Sequence, residues 1–137
     1  MARLTSYGLD ELELSMREIM EIPDNTIADM LNAKADVVLP AQKSKGRAYG
    51  VHRTGVTLNS MVKKKPRRTK NGVTIDISFK GKNADGNRNA EVAFVNEFGK
   101  RGQAPRPFIR DANEESAEKA TEAAAKVYYH WIKSKGL

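Results

Sequence analysis

Between residues 37 and 75, this 137-residue chain has ten basic side chains and no acidic one. Such a stretch cannot form its own core. Ammonium and guanidinium groups withdrawn from water without partners are heavily disfavoured. The stretch must therefore stay wet, find carboxylates elsewhere in the fold, or meet an anion on another molecule. Carboxylates are close at hand, because residues 1–36 carry eight acidic side chains against three basic ones. Residues 76–109 hold six basic and four acidic groups and residues 110–137 hold five of each, leaving a net charge of +7. An acidic start beside a basic middle suits a polyanionic partner, or copies of the chain meeting through opposite patches. Charge alone leaves both readings open.

The apolar pattern around that stretch names the elements. Leu9, Leu12, Met16, Ile19 and Met20 recur at three- and four-residue steps among acidic neighbours, which predicts an amphipathic helix over residues 9–21. Pro23 ends or kinks it. A second helix, capped by Asp24 or Asn25, is expected through about Leu39, with Ile27, Met30, Leu31, Ala35, Val38 and Leu39 inward and Pro40 as its stop. Residues 41–71 then read as a basic loop, interrupted by Gly46, Gly50 and Gly55, with a mobile tip at 63–71. Val73, Ile75, Ile77 and Phe79 alternate with polar residues and predict a strand. Glu91, Val92, Ala93, Phe94 and Val95 are its expected partner, giving a β-hairpin over 72–99. A closing helix is expected over 110–134, with Ala117, Ala120, Ala124, Val127, Tyr128, Trp131 and Ile132 as its apolar stripe.

The expectation is one α+β domain over residues 1–137. It has a helical N-terminal part over 1–40, a small antiparallel sheet carrying the long basic loop, and a C-terminal helix packed on the sheet. A chain of this length buries roughly two-thirds of its unfolded surface, enough for a real core. No apolar run reaches the ~18 residues that span a bilayer, and the start lacks a signal-peptide pattern. The absence of cysteine removes disulfides, thiolate metal sites and cysteine nucleophiles, and points to an intracellular folding compartment.

Catalytic motifs are missing. His52 and His130 have no zinc-ligand spacing, and the sequence has neither a Gly-x-Ser-x-Gly elbow nor a Walker A loop. Asn83, Asp85 and Asn87 imitate spaced calcium ligands, but Phe94 stands where the loop needs a bidentate glutamate. No enzyme, cofactor or metal is expected. The basic stretch supports a nucleic-acid reading, in which an accessory protein contacts the phosphate backbone through residues 43–70. Lys43, Lys45, Arg47, Arg53 and Lys70 are candidate phosphate contacts, with Tyr49 as one stacking surface. The plain alternative for any single lysine is a solvated surface.

Three segments of the chain resemble a known family. Leu39 and Pro40 lead through Thr54 and Gly55 to Leu58, Ser60 and Met61. Residues 91–99 read Glu-Val-Ala-Phe-Val-Asn-Glu-Phe-Gly, and residues 104–110 read Ala-Pro-Arg-Pro-Phe-Ile-Arg before the closing helix. In these places, and in outline over residues 5–133, the chain resembles the head–tail joining or tail-completion proteins of the neck of long-tailed double-stranded DNA bacteriophages. It departs from that pattern at Thr57, which is in effect inserted before Leu58, and at Met61 after Ser60. The resemblance implies a non-enzymatic virion protein, assembled in the host cytoplasm and located at the neck or tail end. It also implies self-association into a ring, commonly six-fold for tail-completion types, between adjacent neck, connector or tail proteins. Non-specific contact with DNA is compatible with that place, and a membrane is not. Lys63, Lys64, Lys65, Arg67, Arg68, Phe98, Arg106 and Phe108 are the candidate interface or docking residues, with Phe98 and Phe108 as anchors.

Overall fold

The computed structural model describes residues 22–51, 55–70 and 72–136. The helix expected over 9–21 lies outside the described residues, as do His52 and Arg53. The described elements, in chain order, are α1 (Asp24–Ala48), α2 (Val56–Asn59), β1 (Met61–Lys63), β2 (Arg67–Thr69), β3 (Gly72–Thr74), β4 (Ile77–Phe79), α3 (Asn89–Phe98) and α4 (Phe108–Ser134). The class is α+β, with two long helices and a small antiparallel β region.

Pro40 does not stop the first helix, because α1 runs through it to Ala48. An internal proline costs a helix about 3 kcal/mol. Packing offsets that cost here: α1 lies along α4 in antiparallel fashion, and the ring of Pro40 is on the exposed side. The seam between the two is built from small residues. Ala35 on α1 and Ala112, Ser116, Ala120 and Ala124 on α4 are all buried. Four-residue spacing puts the α4 set on one face, so the stripe is shifted from the expected one and Ala117 is exposed. Polar pairs cross the same seam: Lys45 with Glu115 at 2.6 Å and Tyr49 with Asp111 keep the antiparallel register, and Gln42 donates to Asn113 at 2.8 Å.

The expected basic loop over 41–71 is mostly ordered structure. It supplies the last turns of α1, the single turn of α2, and the outgoing arm of a hairpin. In that hairpin Met61, Val62 and Lys63 face Phe79, Ser78 and Ile77, while Arg67, Arg68 and Thr69 face Thr74, Val73 and Gly72. Between these ladders, three residues on one arm (Lys64, Lys65, Pro66) oppose two on the other (Ile75, Asp76). That extra residue is a β-bulge. Pro66 explains its place, since it has no N–H to give a ladder, and pairing across the gap is kept by Lys64 N–H donating to Asp76 O at 2.9 Å.

The expected strand at residues 91–95 is instead part of helix α3. The five residues are too few to separate a two-residue period from a helical one. The helix buries Asn89, Ala93 and Glu97, one face at four-residue spacing. The partner of β4 is therefore β1. The core gathers where α1, α2, β1, β4, α3 and the start of α4 converge: Val51, Leu58, Met61, Ala93 and Phe108, flanked by Leu39, Tyr49, Ile77, Phe79 and Ile109. The C-terminal helix thus reaches the sheet only with its first turn, and the rest of it lies on α1.

Gly46 makes the convergence possible. A Cβ there would stand 2.5 Å from Leu58 Cδ2 and 3.2 Å from Phe108 Cδ2, both on buried side chains.

Candidate functional site

The basic stretch finds its carboxylates within the chain. Lys63 pairs with Asp36 of α1 at 2.7 Å, Arg67 with Asp76 at 3.2 Å, and Arg68 with Asp24 at the start of α1. The hairpin is thereby laid against the acidic side of α1, so part of the opposite charge expected to meet between copies meets inside one copy. These pairs are partly or largely exposed, where each contributes about 0–1 kcal/mol. Lys64 and Lys65 differ. They project from the bulge, are exposed, and make no ion pair among the described residues. Lys70 and Arg47, both exposed, and the half-buried Lys43 likewise make no ion pair among the described residues. Of the five candidate phosphate contacts, Lys45 is engaged by Glu115 and Arg53 lies outside the described residues.

Tyr49 is half-buried against the core and serves the fold. Its hydroxyl donates to the Asp111 carboxylate, joining the end of α1 to the first turn of α4, and Lys45 Nζ lies 5.6 Å from its ring centroid. The hydrogen bond to Asp111 raises the Tyr49 pKa, with burial adding to it. The same bond lowers that of Asp111, helped by Arg110. Lys45 is raised, chiefly by its hydrogen bond to Glu115.

Phe98 and Phe108 were paired as anchors by their place in the sequence, and the structure separates them. Phe108 is fully buried (0% exposed) at the centre of the core, so it cannot act as a docking residue. Phe98 is 64% exposed and Phe94, one turn earlier on α3, is 62% exposed, with ring centroids 4.8 Å apart. This tilted aromatic pair lies on the outside of a ten-residue helix, with no covering element among the described residues. Arg106 is tied to the fold, its guanidinium donating to Gly50 O at 3.3 Å and its N–H to Asn96 O at 2.6 Å.

Glu97 is a residue that the sequence reading passed over. It is buried, and its two carboxylate oxygens accept the backbone N–H groups of Ile109 (2.8 Å) and Arg110 (3.0 Å). These are among the first N–H groups of α4, which have no partner inside their own helix. The carboxylate also meets the positive end of the helix dipole. Gly99 turns the chain back for this contact at φ +77°, and a Cβ there would stand 2.7 Å from Gln103 O. The available signal was a glutamate followed by a glycine turn and then a helix start with no Ser, Thr, Asp or Asn at its cap. The cap position is Pro107.

Beside α3, a cleft of about 810 Å³ is lined by Asn83, Asp85, Glu91, Asn96, Gln103 and Arg106, among others. Asn83 Oδ1 accepts the N–H groups of Asp85 and Asn87 at 3.0 Å each, closing the loop on itself. No group of three or more His, Asp or Glu side chains that could hold a metal ion occurs among the described residues. His130 is exposed on α4. No helix of the described residues is long and apolar enough to cross a membrane.

No family model matches the chain, and neither does any curated protein or solved structure.

Proposed function

We propose that this chain is a non-enzymatic structural subunit of the neck of a long-tailed double-stranded DNA bacteriophage. In this reading it forms a ring that completes the tail or joins it to the DNA-filled head. One observation supports the reading most. Two of the three segments that carry the resemblance, residues 91–99 and 104–110, clasp each other through Glu97 with Ile109 and Arg110, and through Asn96 with Arg106. The clasp leaves Phe94 and Phe98 facing outward. A rigid platform presenting an uncovered aromatic pair suits assembly, because aromatic anchors on pre-organised surfaces supply much of the energy of protein contacts. The bulge lysines Lys64 and Lys65 supply a second, charged surface for a neighbouring neck or tail protein, with steering as their main contribution.

The test is genetic and structural. A phage deprived of this chain should yield filled heads and separate tails, and the purified chain should restore joined particles seen by negative-stain imaging. Particles that join normally without it would sink the proposal. A chain that forms no ring but shifts duplex DNA strongly at physiological salt would place it with nucleic-acid accessory proteins instead.

A further inference from the structure

Five cations that engage no carboxylate among the described residues fall into one row along α1 and the hairpin: Arg47, Lys43, Lys64, Lys65 and Lys70. Two ion pairs set the row. Lys63 is held at Asp36 and Arg68 at Asp24, so the outgoing arm of the hairpin runs back along the first half of α1. Lys64 and Lys65 lie between those points, and Lys70 lies past Arg68 at the hairpin turn. In the other direction, Lys43 and Arg47 follow Asp36 by seven and eleven residues, on the same face of α1. The helix rises about 35 Å between residues 24 and 47.

The negative charge on this side is mostly taken up. Asp24, Asp36 and Asp76 engage Arg68, Lys63 and Arg67. Asp29, exposed on the same face as Asp36, opposes the row and makes no ion pair among the described residues. Five free cations against one free carboxylate leave the row strongly positive.

Its chemistry selects the partner. Among the described residues, the exposed large hydrophobic side chains are Phe94, Phe98 and Tyr129, and none is on α1 or the hairpin. A protein docked here would be steered by charge without an apolar anchor to hold it. Residues 24–48 contain no aromatic side chain, and Phe79, the one in residues 61–79, packs against the core. A single strand would therefore find no ring along the row on which to stack its bases. What remains is a file of ammonium and guanidinium groups about as long as one turn of duplex DNA, roughly 34–36 Å.

We propose that this row binds the phosphate backbone of duplex DNA without sequence preference. The inference goes beyond the neck reading and does not depend on it. Lys64 and Lys65, which steer a neighbouring protein in that reading, are here two points of a longer row. The pairs to Asp24, Asp36 and Asp76 contribute indirectly, fixing the hairpin on α1 so that the free cations are in place before DNA arrives.

The experiment titrates the full chain into a fluorescently labelled duplex of mixed sequence and reads anisotropy. The wild type should bind with a Kd of about 1–100 μM, the range of non-specific contacts. The logarithm of the binding constant should fall with that of salt at a slope of about −4.5, since each neutralised phosphate contributes about −0.9. Lys64→Ser with Lys65→Ser and Lys70→Ser should reduce that slope by about 3, and Arg47→Ser alone by about 1. A control removes the same charge elsewhere. Lys119→Ser, Lys126→Ser and Lys133→Ser lie on one stripe of α4, where Lys119 shares a groove with Ala41 and Ser44 on a different face of α1 from Asp36. That control should keep both the affinity and the slope, and all variants should keep the wild-type circular dichroism. Equal losses in the two triple variants, an unchanged slope in the row variants, or a wild type that leaves the duplex free at about 50 mM salt would each overturn the site. So would a single strand that binds more tightly than the duplex, or poly-glutamate that displaces the duplex as well as unlabelled duplex does. If DNA stays unbound while particle joining still requires the chain, the row fails and the neck reading survives. If the row binds DNA as expected yet particles join without the chain, only the neck reading fails.

Discussion

Glu97 and Ile109 are joined by a hydrogen bond of 2.8 Å from a backbone N–H to a buried carboxylate, twelve residues apart in the chain. With the matching bond from Arg110, it starts a 27-residue helix that has no side-chain cap of its own. Replacing Glu97 by Ala would leave two N–H groups unsatisfied beside the core. We expect a loss of about 2–4 kcal/mol, read as a lower urea midpoint at unchanged slope. Glu97→Gln keeps one acceptor and should lose less than Glu97→Ala. Equal midpoints for Glu97→Ala and wild type would remove the capping role.

Gly99 is required by the same clasp. Its positive φ costs an L-residue about 1–2 kcal/mol, and the close approach of Gln103 O adds a clash with backbone that cannot rotate away. Gly99→Ala should therefore destabilise by at least ~2 kcal/mol, whereas Gly102→Ala, whose Cβ would meet nothing within 4 Å, should cost only the conformational part. Thermal unfolding of the two variants side by side checks the difference.

Phe98 and Phe108 should part in experiment. Phe108→Ala removes a fully buried ring and should cost about 3–5 kcal/mol. Phe98→Ser should shift monomer stability by no more than ~0.5 kcal/mol, since the ring is mostly in water. Denaturant titration at a concentration too low for assembly separates them.

The Tyr49–Asp111 bond makes stability depend on pH in a defined direction. Asp111 is held below its ordinary pKa in the folded chain. Its contribution is therefore complete above the ordinary carboxylate value of about 4 and is lost as pH falls through the lowered one. Tyr49 is shifted the other way, so its contribution is complete below the ordinary tyrosine value of about 10 and fades as pH rises through the raised one. The stability gap between wild type and Tyr49→Phe should be largest between these limits and narrow at both ends. A gap that stays constant from neutral pH into strong acid would show that the bond is not linked to the Asp111 charge.

Within the basic hairpin, Lys64→Ser with Lys65→Ser should leave folding unchanged and impair docking to heads or tails, because neither side chain makes an ion pair among the described residues. Lys63→Ser with Arg68→Ser breaks pairs to Asp36 and Asp24 and should lower stability by roughly 0–2 kcal/mol. Comparing particle-joining yield with unfolding midpoint for the two double variants separates docking from support.

The α+β class, the closing helix and the β character of residues 72–79 were legible because each rests on a periodicity long enough to count, or on a turn residue with one conformational meaning. The helix at 89–98 was not. Its central five residues, Glu91 to Val95, alternate as well as they turn, and only burial of Asn89, Ala93 and Glu97 decides between the periods. Pro40 misled for a related reason: its local cost is real, but the contact between α1 and α4 outweighs it. The surroundings of the basic residues were not legible. Basic residues could be identified, but whether each one faces water or an aspartate many residues away is settled by packing.

By itself the sequence determined the composition of the problem: ten cations over residues 37–75 that must find water, carboxylates or another molecule, and no cysteine to staple them. Only the tertiary structure decided which cations found which partner. Asp24, Asp36 and Asp76 engage Arg68, Lys63 and Arg67, while Lys64 and Lys65 at the bulge make no such pair among the described residues. The physical reason is range. Propensity and periodicity act over a few neighbouring residues, whereas ion pairing and close packing act over a few ångströms between residues far apart in the chain.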